Sequence, residues 1–159
     1  MSISDIGKVC LFSGISGVIT LDGKFVAGAK LVRTADRDGI KTDEIITDEK
    51  GFFKLPPLFE RTVTKHLPME FVASQEIMVY YNGKNYKMWS GVKRQREENS
   101  EARGKPLAVK CELNSDIKYV TIGATFIHSL CVWDVESDPP IDWEKMGYFD
   151  EDLDGSESK

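Results

Sequence analysis

The chain has 159 residues, of which 41% are hydrophobic and 30% charged, a composition that indicates one globular domain and excludes a disordered or membrane-spanning protein. No apolar run approaches the roughly 18–20 residues that cross a bilayer. The formal net charge of −5 is unevenly spread, because residues 134–159 contain ten acidic side chains against Lys145 and Lys159. That segment therefore carries −8, which leaves +3 for residues 1–133.

The N-terminal segment MSISDIGKVCLFSG does not have the pattern of an export signal. Asp5 and Lys8 interrupt what would have to be its apolar core, and no basic residue precedes that core. Cys10, Cys111 and Cys131 are odd in number and widely spaced, unlike a disulfide framework, and predict reduced, partly buried thiols. We therefore expect a cytoplasmic protein.

Strands are the main element that the hydrophobic pattern predicts, because period-2 alternation with β-branched and aromatic residues recurs and helical periodicity is scarce. The clearest case is LAVKCEL, in which Leu107 to Leu113 alternate between an apolar and a polar face. The predicted strands lie near 15–21, 29–37, 40–47, 51–55, 69–81, 84–90, 106–113 and 118–132.

Three glycine-containing turns separate the predicted strands. Asp22-Gly23 forms a tight turn, and Asn82-Gly83 in YYNGKNYKMW is a strong hairpin signal, because both central residues must accept a positive φ. In TDEKGFF, Asp48 is expected to accept hydrogen bonds from the backbone ahead of it while Gly51 takes the left-handed conformation. Phe52 or Phe53 then enters the core.

The run from Ser90 to Lys105 is almost wholly polar and has no apolar stripe, which predicts an exposed loop. Basic residues in this run and in the predicted strand before it, interleaved with aromatic rings, could suit nucleic acid. Glu97, Glu98 and Glu101 interrupt them, however, and the pI is near 5.1, so we expect no nucleic-acid binding. Those basic and neighbouring aromatic residues are Lys84, Tyr86, Lys87, Trp89, Lys93, Arg94, Arg96 and Arg103.

After Trp133 the sequence changes character. Pro139-Pro140 ends any strand, and Asp142 could cap a short helix that bears Trp143 and Met146. The last ten or so residues are expected to be disordered.

Two separated stretches, GVITLDGKFVAGAKLV and TDEKGFF, together resemble the carboxypeptidase-regulatory-like, or transthyretin-like, β-sandwich domain over about residues 15–59. With the strand pattern, the fold class is an all-β antiparallel Greek-key β-sandwich of about seven to eight strands over residues 1–133, with residues 134–159 as an acidic aromatic extension. The resemblance implies a module that is usually non-catalytic. The hydrolases of the family need a histidine cluster that His66 and His128 alone cannot supply.

No catalytic or metal-binding set stands out in the sequence. Ser16 lacks the second glycine and the following helix of a nucleophile elbow. His128 and Cys131 lie three apart in a predicted strand and so point to opposite faces. The tail begins like a calcium loop at Asp150, but the twelfth position would fall beyond Lys159. We expect no enzyme activity, no cofactor and no metal.

The leading functional interpretation is a protein-binding module, an immunity protein or a secretion-effector adaptor, whose partner has a basic surface. Aromatic rings beside carboxylates suit such a partner; we expect no membrane partner, and the oligomeric state stays open. The alternative is a carbohydrate- or small-molecule-binding sandwich that uses Trp89, Tyr81 and Tyr86 for stacking. The predicted partner-binding residues are Trp89, Arg94, Arg96, Trp143, Tyr148, Phe149, Asp150 and Asp152.

Overall fold

A computed structural model describes residues 7–61, 70–140, 142, 144, 145 and 147 of the chain. In this part of the chain the regular structure is almost entirely β, which confirms the predicted fold class; the exception is a 3₁₀ turn at Ser100–Ala102. No helix among the described residues has the length and apolarity to cross a bilayer. The strands are β1 (Lys8–Phe12), β2 (Ile15–Leu21), β3 (Lys24–Phe25), β4 (Lys30–Asp36), β5 (Ile40–Ile46), β6 (Phe52–Leu55), β7 (Leu58–Arg61), β8 (Ala73–Tyr81), β9 (Lys84–Lys93), β10 (Leu107–Glu112), β11 (Lys118–Ile122), β12 (Thr125–Ser129) and β13 (Cys131–Trp133).

Two larger sheets and a two-stranded ribbon make up the fold. One sheet has six strands in the order β11-β12-β9-β8-β4-β5, all antiparallel. The other has five strands: β13, β10 and β2 are neighbours, and β2 also pairs with β6 and β3 at successive positions. The ribbon joins β1 to β7.

The pair β2–β10 is parallel, unlike the antiparallel sheet that the sequence predicted. Gly17 lies opposite Val109 in this pair, and a Cβ at Gly17 would come within 2.2 Å of the Val109 carbonyl oxygen. Glycine is required here because the two backbones approach too closely for a side chain.

The predicted turns form as expected. Asp22 and Asn82 have positive φ angles of 53° and 50°, and the glycine that follows each is also left-handed. Asp48 Oδ1 accepts hydrogen bonds from the backbone N–H of Lys50 and Phe52, each at 2.9 Å. These hydrogen bonds stabilise the turn, because the carboxylate serves as the acceptor for two backbone N–H groups.

One hydrophobic core receives the inward side chains of both larger sheets. β10 alternates as predicted, with Leu107, Val109 and Cys111 buried between exposed neighbours. Of the two candidate phenylalanines, Phe53 is buried and Phe52 is 43% exposed. Alternation along β6 and β10 therefore decides which of their side chains face the core and which face outward.

The segment predicted as one strand over 118–132 is instead three strands, β11, β12 and β13. Gly123, with φ of 60°, makes a turn between the first two, and Leu130 separates β12 from β13. Strands β1, β3 and β7 lie outside the predicted strand ranges. β3 has only two residues, too few for a visible alternation, and β1 is a nearly continuous apolar run whose periodicity cannot distinguish strand from helix.

The prediction of three reduced thiols is wrong for two of them. Cys111 and Cys131 face each other across the β10–β13 pair and form a disulfide, whereas Cys10 is free and buried. Twenty positions separate the two cysteines in sequence, but the antiparallel register brings them together. Spacing alone could not reveal that contact.

Candidate functional site

The run predicted as an exposed loop, Ser90 to Lys105, supplies side chains to the interior of the protein. Lys93 and Glu101 are both fully buried, and the 3₁₀ turn that carries Glu101 packs against the sheets. The prediction of an exposed loop is therefore wrong for Lys93 and for the 3₁₀ turn, whereas Glu97, Glu98 and residues 103–105 are exposed. A charged pattern cannot distinguish a solvated loop from one whose charges meet buried partners.

Glu101 is the centre of a polar cluster that we define as Ser13, Gln75, Trp89, Lys93 and Glu101. Its carboxylate accepts from the Ser13 N–H at 3.0 Å, the Ser13 hydroxyl at 2.6 Å and the Gln75 amide at 3.1 Å. The Gln75 carbonyl oxygen accepts from Trp89 Nε1 at 3.0 Å. These hydrogen bonds connect the 94–106 loop to β8 and to the residue after β1. They stabilise this arrangement because a buried polar group without a hydrogen-bond partner is energetically costly.

Two buried groups beside Glu101 have shifted pKa values. Burial lowers the pKa of Lys93, and the negative charge of Glu101 opposes that shift. The Lys93 ammonium donates to the carbonyl oxygens of Gln95 and, at 2.8 Å, of Glu97. Burial raises the pKa of the Cys10 thiol to about 11, which keeps it protonated and unreactive near neutral pH.

Trp89 does not lie at a surface, contrary to its predicted role in partner or sugar binding. Its side chain is fully buried, with its ring 5.6 Å from Phe12 and 4.9 Å from Trp133 between centroids. A buried indole that already donates its N–H offers neither stacking area nor a hydrogen bond to a ligand. Trp89 is a core residue. Met88 and Trp89 are adjacent and both buried, at the point where the β8–β9 register shifts, so strict alternation could not show that Trp89 faces inward.

Of the other predicted partner-binding residues, Arg94 and Arg96 lie within the described part of the chain. Arg94 is partly buried and pairs with Glu70 at 2.5 Å. Arg96 is also partly buried, and its carbonyl oxygen accepts a hydrogen bond from the Cys10 N–H of β1 at 2.9 Å. Tyr81 and Tyr86, offered for stacking, pack against the core beside β9. The remaining five, Trp143, Tyr148, Phe149, Asp150 and Asp152, lie outside the described residues, as does His66.

The described residues bring no catalytic constellation to a cleft. Ser16 lies within β2, and the exposed His128 ring contacts Tyr119 edge-on at 4.6 Å rather than a second histidine. Among the described residues no three His, Cys, Asp or Glu side chains converge as a metal site. Every buried side-chain nitrogen and oxygen in this part of the chain has a hydrogen-bond partner. The polar cluster is therefore a saturated structural network.

The start of the C-terminal extension is attached to the domain. Arg103 donates to the Glu136 carbonyl oxygen at 2.8 Å and to Asp138 at 2.5 Å, and Lys105 pairs with Asp134 at 3.0 Å. Asp138 N–H also donates to the Thr121 carbonyl oxygen at 2.7 Å, at the edge of β11. The hydrogen bond from Arg103 lowers the pKa of Asp138.

The outer face of the five-stranded sheet carries an open pocket of about 410 Å³, which we call the outer pocket. Its walls are mostly apolar, and it lies over β2, β10 and β13 on the side away from the core. A volume in this range matches small-molecule sites, which measure about 300–1,000 Å³. The large apolar and charged side chains that line the outer pocket include Val18, Phe25, Lys110, Glu112, Leu130 and Val132.

Strand register explains why these side chains meet. Lys110 lies opposite Val18 on one neighbouring strand and opposite Val132 on the other, so the three form a row across the sheet. A second row places Phe25 beside Thr20, and Thr20 beside Glu112. Phe25 and Val132 are 61% and 49% exposed, which is unusual for large apolar side chains that share one face.

The charged groups of the outer pocket differ in how many hydrogen bonds they make to the rest of the protein. The Glu112 carboxylate accepts from the N–H groups of Asp22, Gly23 and Asn114 at 2.9–3.0 Å, and from the Thr20 hydroxyl at 3.1 Å. The backbone bonds, that from Gly23 first, lower the pKa of Glu112 to about 2.

The two lysines of the outer pocket also differ from each other. The Lys118 ammonium has acceptors in Ser115 Oγ and in the carbonyl oxygens of Asp116 and Leu130. Lys110 is exposed and makes no hydrogen bond or ion pair with the described residues. It is therefore the charged group of this pocket with unused donors.

A family model described as a domain of unknown function, DUF6795, matches residues 15–116, more than half of the chain. The chain belongs to this family. The matched range runs from the first residue of β2 to just beyond β10 and includes Val18, Phe25, Lys110 and Glu112, whereas Leu130 and Val132 lie beyond it. No curated protein and no solved structure matches the chain.

The sequence does not predict the outer pocket, although it shows some of the residues that line it. LAVKCEL was recognised as a half-exposed strand, and its outward positions include Lys110 and Glu112. Phe25 lies two positions after the Asp22-Gly23 turn, on the two-residue strand β3, and its ring is exposed. What joins these positions is the parallel β2–β10 register, which no local pattern shows.

Proposed function

We propose that this protein is a non-catalytic binding module whose outer pocket takes the apolar part of a small molecule. The observation that carries the proposal is an open, mostly apolar pocket on a sheet face, with large apolar side chains left exposed around it. Burial of those side chains by a ligand supplies a driving force of roughly 25 cal/mol per Å² of apolar area. The proposal assigns no reaction and no cofactor.

The architecture around the outer pocket supports binding without large rearrangement. Three neighbouring strands form its floor, and the Cys111–Cys131 disulfide links two of them. The Glu112 carboxylate also holds together the turn at Asp22-Gly23 and the turn at Asn114. A pre-formed site of this kind loses little conformational entropy when it binds.

Backbone-amide NMR with 1-octanol as a neutral probe tests the proposal. We expect chemical-shift changes that saturate and that cluster on β2, β10 and β13. Phe25→Ser should weaken them, whereas the matched control Phe126→Ser, an exposed phenylalanine on the six-stranded sheet, should leave them unchanged. Changes that are absent, or that centre on the six-stranded sheet, contradict the proposal.

A second candidate function is protein binding through the acidic extension, by an immunity protein or a secretion-effector adaptor with a basic partner. The specific observation is the attachment of residues 134–138 by Arg103 and Lys105, which fixes where the acidic segment leaves the domain. Carboxylates held at a defined place steer a basic partner more effectively than a freely moving tail.

Affinity capture from the native host, with the full chain and with a chain that ends at Asp138, tests this second function. A salt-sensitive partner that only the full chain retains is the expected result. Identical partners for both chains, at low and high salt, contradict it.

The transthyretin-like relationship and the cytoplasmic location remain part of the proposal. Support for the transthyretin-like relationship is that GVITLDGKFVAGAKLV contains most of β2, all of β3 and the start of β4, and that TDEKGFF leads into β6, within a sandwich-like all-β fold. The Cys111–Cys131 disulfide argues against a cytoplasmic location, since stable disulfides are rare in a reducing cytoplasm. Thiol labelling in rapidly quenched native cells decides it: three labelled cysteines indicate the cytoplasm, and one indicates an oxidising compartment.

A further inference from the structure

We infer that the ligand of the outer pocket is an amphipathic monoanion, an aliphatic or aromatic body with one carboxylate-like head that Lys110 binds. This inference rests on the proposed small-molecule function and adds the charge and the orientation of the ligand.

The balance of charge in the outer pocket selects an anion. Lys110 and Lys118 contribute two positive charges, and Glu112 contributes one negative charge. Both oxygens of Glu112 already accept hydrogen bonds from the protein, so this carboxylate has little capacity left to bind a cationic ligand. The charged side chains that line the pocket therefore sum to one positive charge, which favours a ligand with one negative head group.

Lys110 is the group that can contact that head directly. Lys118 donates to three protein acceptors, which use the donors of a lysine ammonium, whereas Lys110 has none of its donors engaged with the described residues. A carboxylate at Lys110 completes a charge-assisted hydrogen bond, which is stronger than a neutral one.

The position of Lys110 also sets the orientation of the ligand. Its strand neighbours on the two sides are Val18 and Val132, and Phe25 and Leu130 are the other large apolar parts of the wall. A head group at Lys110 therefore lies between apolar walls, so that an attached chain or ring of the same molecule covers Val18 or Val132. A sugar, which has polar groups all round, does not match this arrangement.

Isothermal titration with octanoate, 1-octanol and octylamine tests the inference, because the three share one chain and differ in head-group charge. We expect octanoate to bind more tightly than 1-octanol by about three- to tenfold, and octylamine to bind most weakly. Lys110→Met, which keeps an apolar stem of similar length, should remove the advantage of octanoate and leave 1-octanol unchanged. Lys54→Met is the matched control, an exposed lysine on the same sheet outside the pocket wall.

Each outcome separates the inference from the function on which it rests. Equal binding of octanoate and 1-octanol, or an advantage that survives Lys110→Met, overturns the anion inference and leaves the apolar pocket in place. Preference for octylamine overturns the sign of the charge. Binding of none of the three overturns both the inference and the proposed function.

Discussion

The polar cluster inside the domain and the outer pocket on its five-stranded sheet use charge in opposite ways. In the polar cluster the fully buried Glu101 and Lys93 have protein partners, and no described buried side-chain nitrogen or oxygen lacks one. In the outer pocket, apolar walls stay exposed and Lys110 keeps its donors unused. The donors and acceptors of the polar cluster thus bond to other parts of the protein, whereas the outer pocket has donors that remain able to bind a ligand.

This difference shows why charge density is a poor guide to function in this chain. The most highly charged run in residues 1–133, between Ser90 and Lys105, supplies buried side chains that hydrogen-bond to the rest of the domain. The outer pocket is lined by outward-facing side chains of strands that are not unusual in sequence. These side chains come together only when the strands pair in the sheet. Whether each polar group has a hydrogen-bond partner within the protein distinguishes a structural region from a binding region better than the number of charges does.

The largest expected effect comes from breaking the polar cluster. Glu101→Ala leaves the Ser13 N–H and the Gln75 amide without their acceptor and leaves Lys93 buried without its counter-charge. We expect a loss of about 3–5 kcal/mol in the free energy of unfolding, measured by urea denaturation. Glu98→Ala, an exposed carboxylate in the same loop, should change it by less than about 0.5 kcal/mol. Equal losses for the two variants contradict a structural role for Glu101.

A smaller effect should follow removal of the disulfide that borders the outer pocket. The double variant Cys111→Ala, Cys131→Ala opens a link that spans 20 positions, and we expect a loss of about 3 kcal/mol. Because β13 pairs with β10 at only three positions, probe binding at Val132 should weaken as well. Dithiothreitol should lower the unfolding midpoint of the natural chain and not that of the double variant. An equal response of both chains to dithiothreitol rules out this disulfide.

The smallest effect concerns Glu112, which supports the outer pocket from one end. Its pKa of about 2 lies below the ordinary value of 4.5, so the unfolded chain binds more protons between these pH values. Its contribution to stability is therefore complete above about pH 4.5 and is lost as the pH falls towards 2. Because the group is near solvent, we expect about 1 kcal/mol.

The pH dependence of that contribution is measurable. Glu112→Gln should unfold at a lower temperature than the natural chain at pH 6, and the two melting temperatures should converge near pH 2. A difference that is the same at both pH values contradicts the role of the ionised carboxylate.

Local chemistry allowed much of the fold to be predicted. The Asp22-Gly23, Asn82-Gly83 and Asp48 turns depend on residues within a few positions, and the alternation of LAVKCEL is visible in seven letters. The all-β class follows from many such signals.

What could not be predicted depends on contacts between distant residues. Ser13 and Glu101 are 88 positions apart, so nothing near Glu101 indicates that its carboxylate is buried. The same holds for Trp89, whose partner Gln75 lies on another strand. The outer pocket needs the β2–β10 register, and its lining comes from segments that have no common sequence pattern.

The parallel β2–β10 pair also has a consequence for how the chain folds. Thr20 and Glu112 are neighbours in this pair although 92 positions separate them, and no hairpin can bring the two strands together. Closing so long a loop carries an entropic cost before any contact compensates for it. The six-stranded sheet, in which most neighbouring strands are joined by short turns, can assemble earlier, so that the floor of the outer pocket forms in the late, slow phase of refolding.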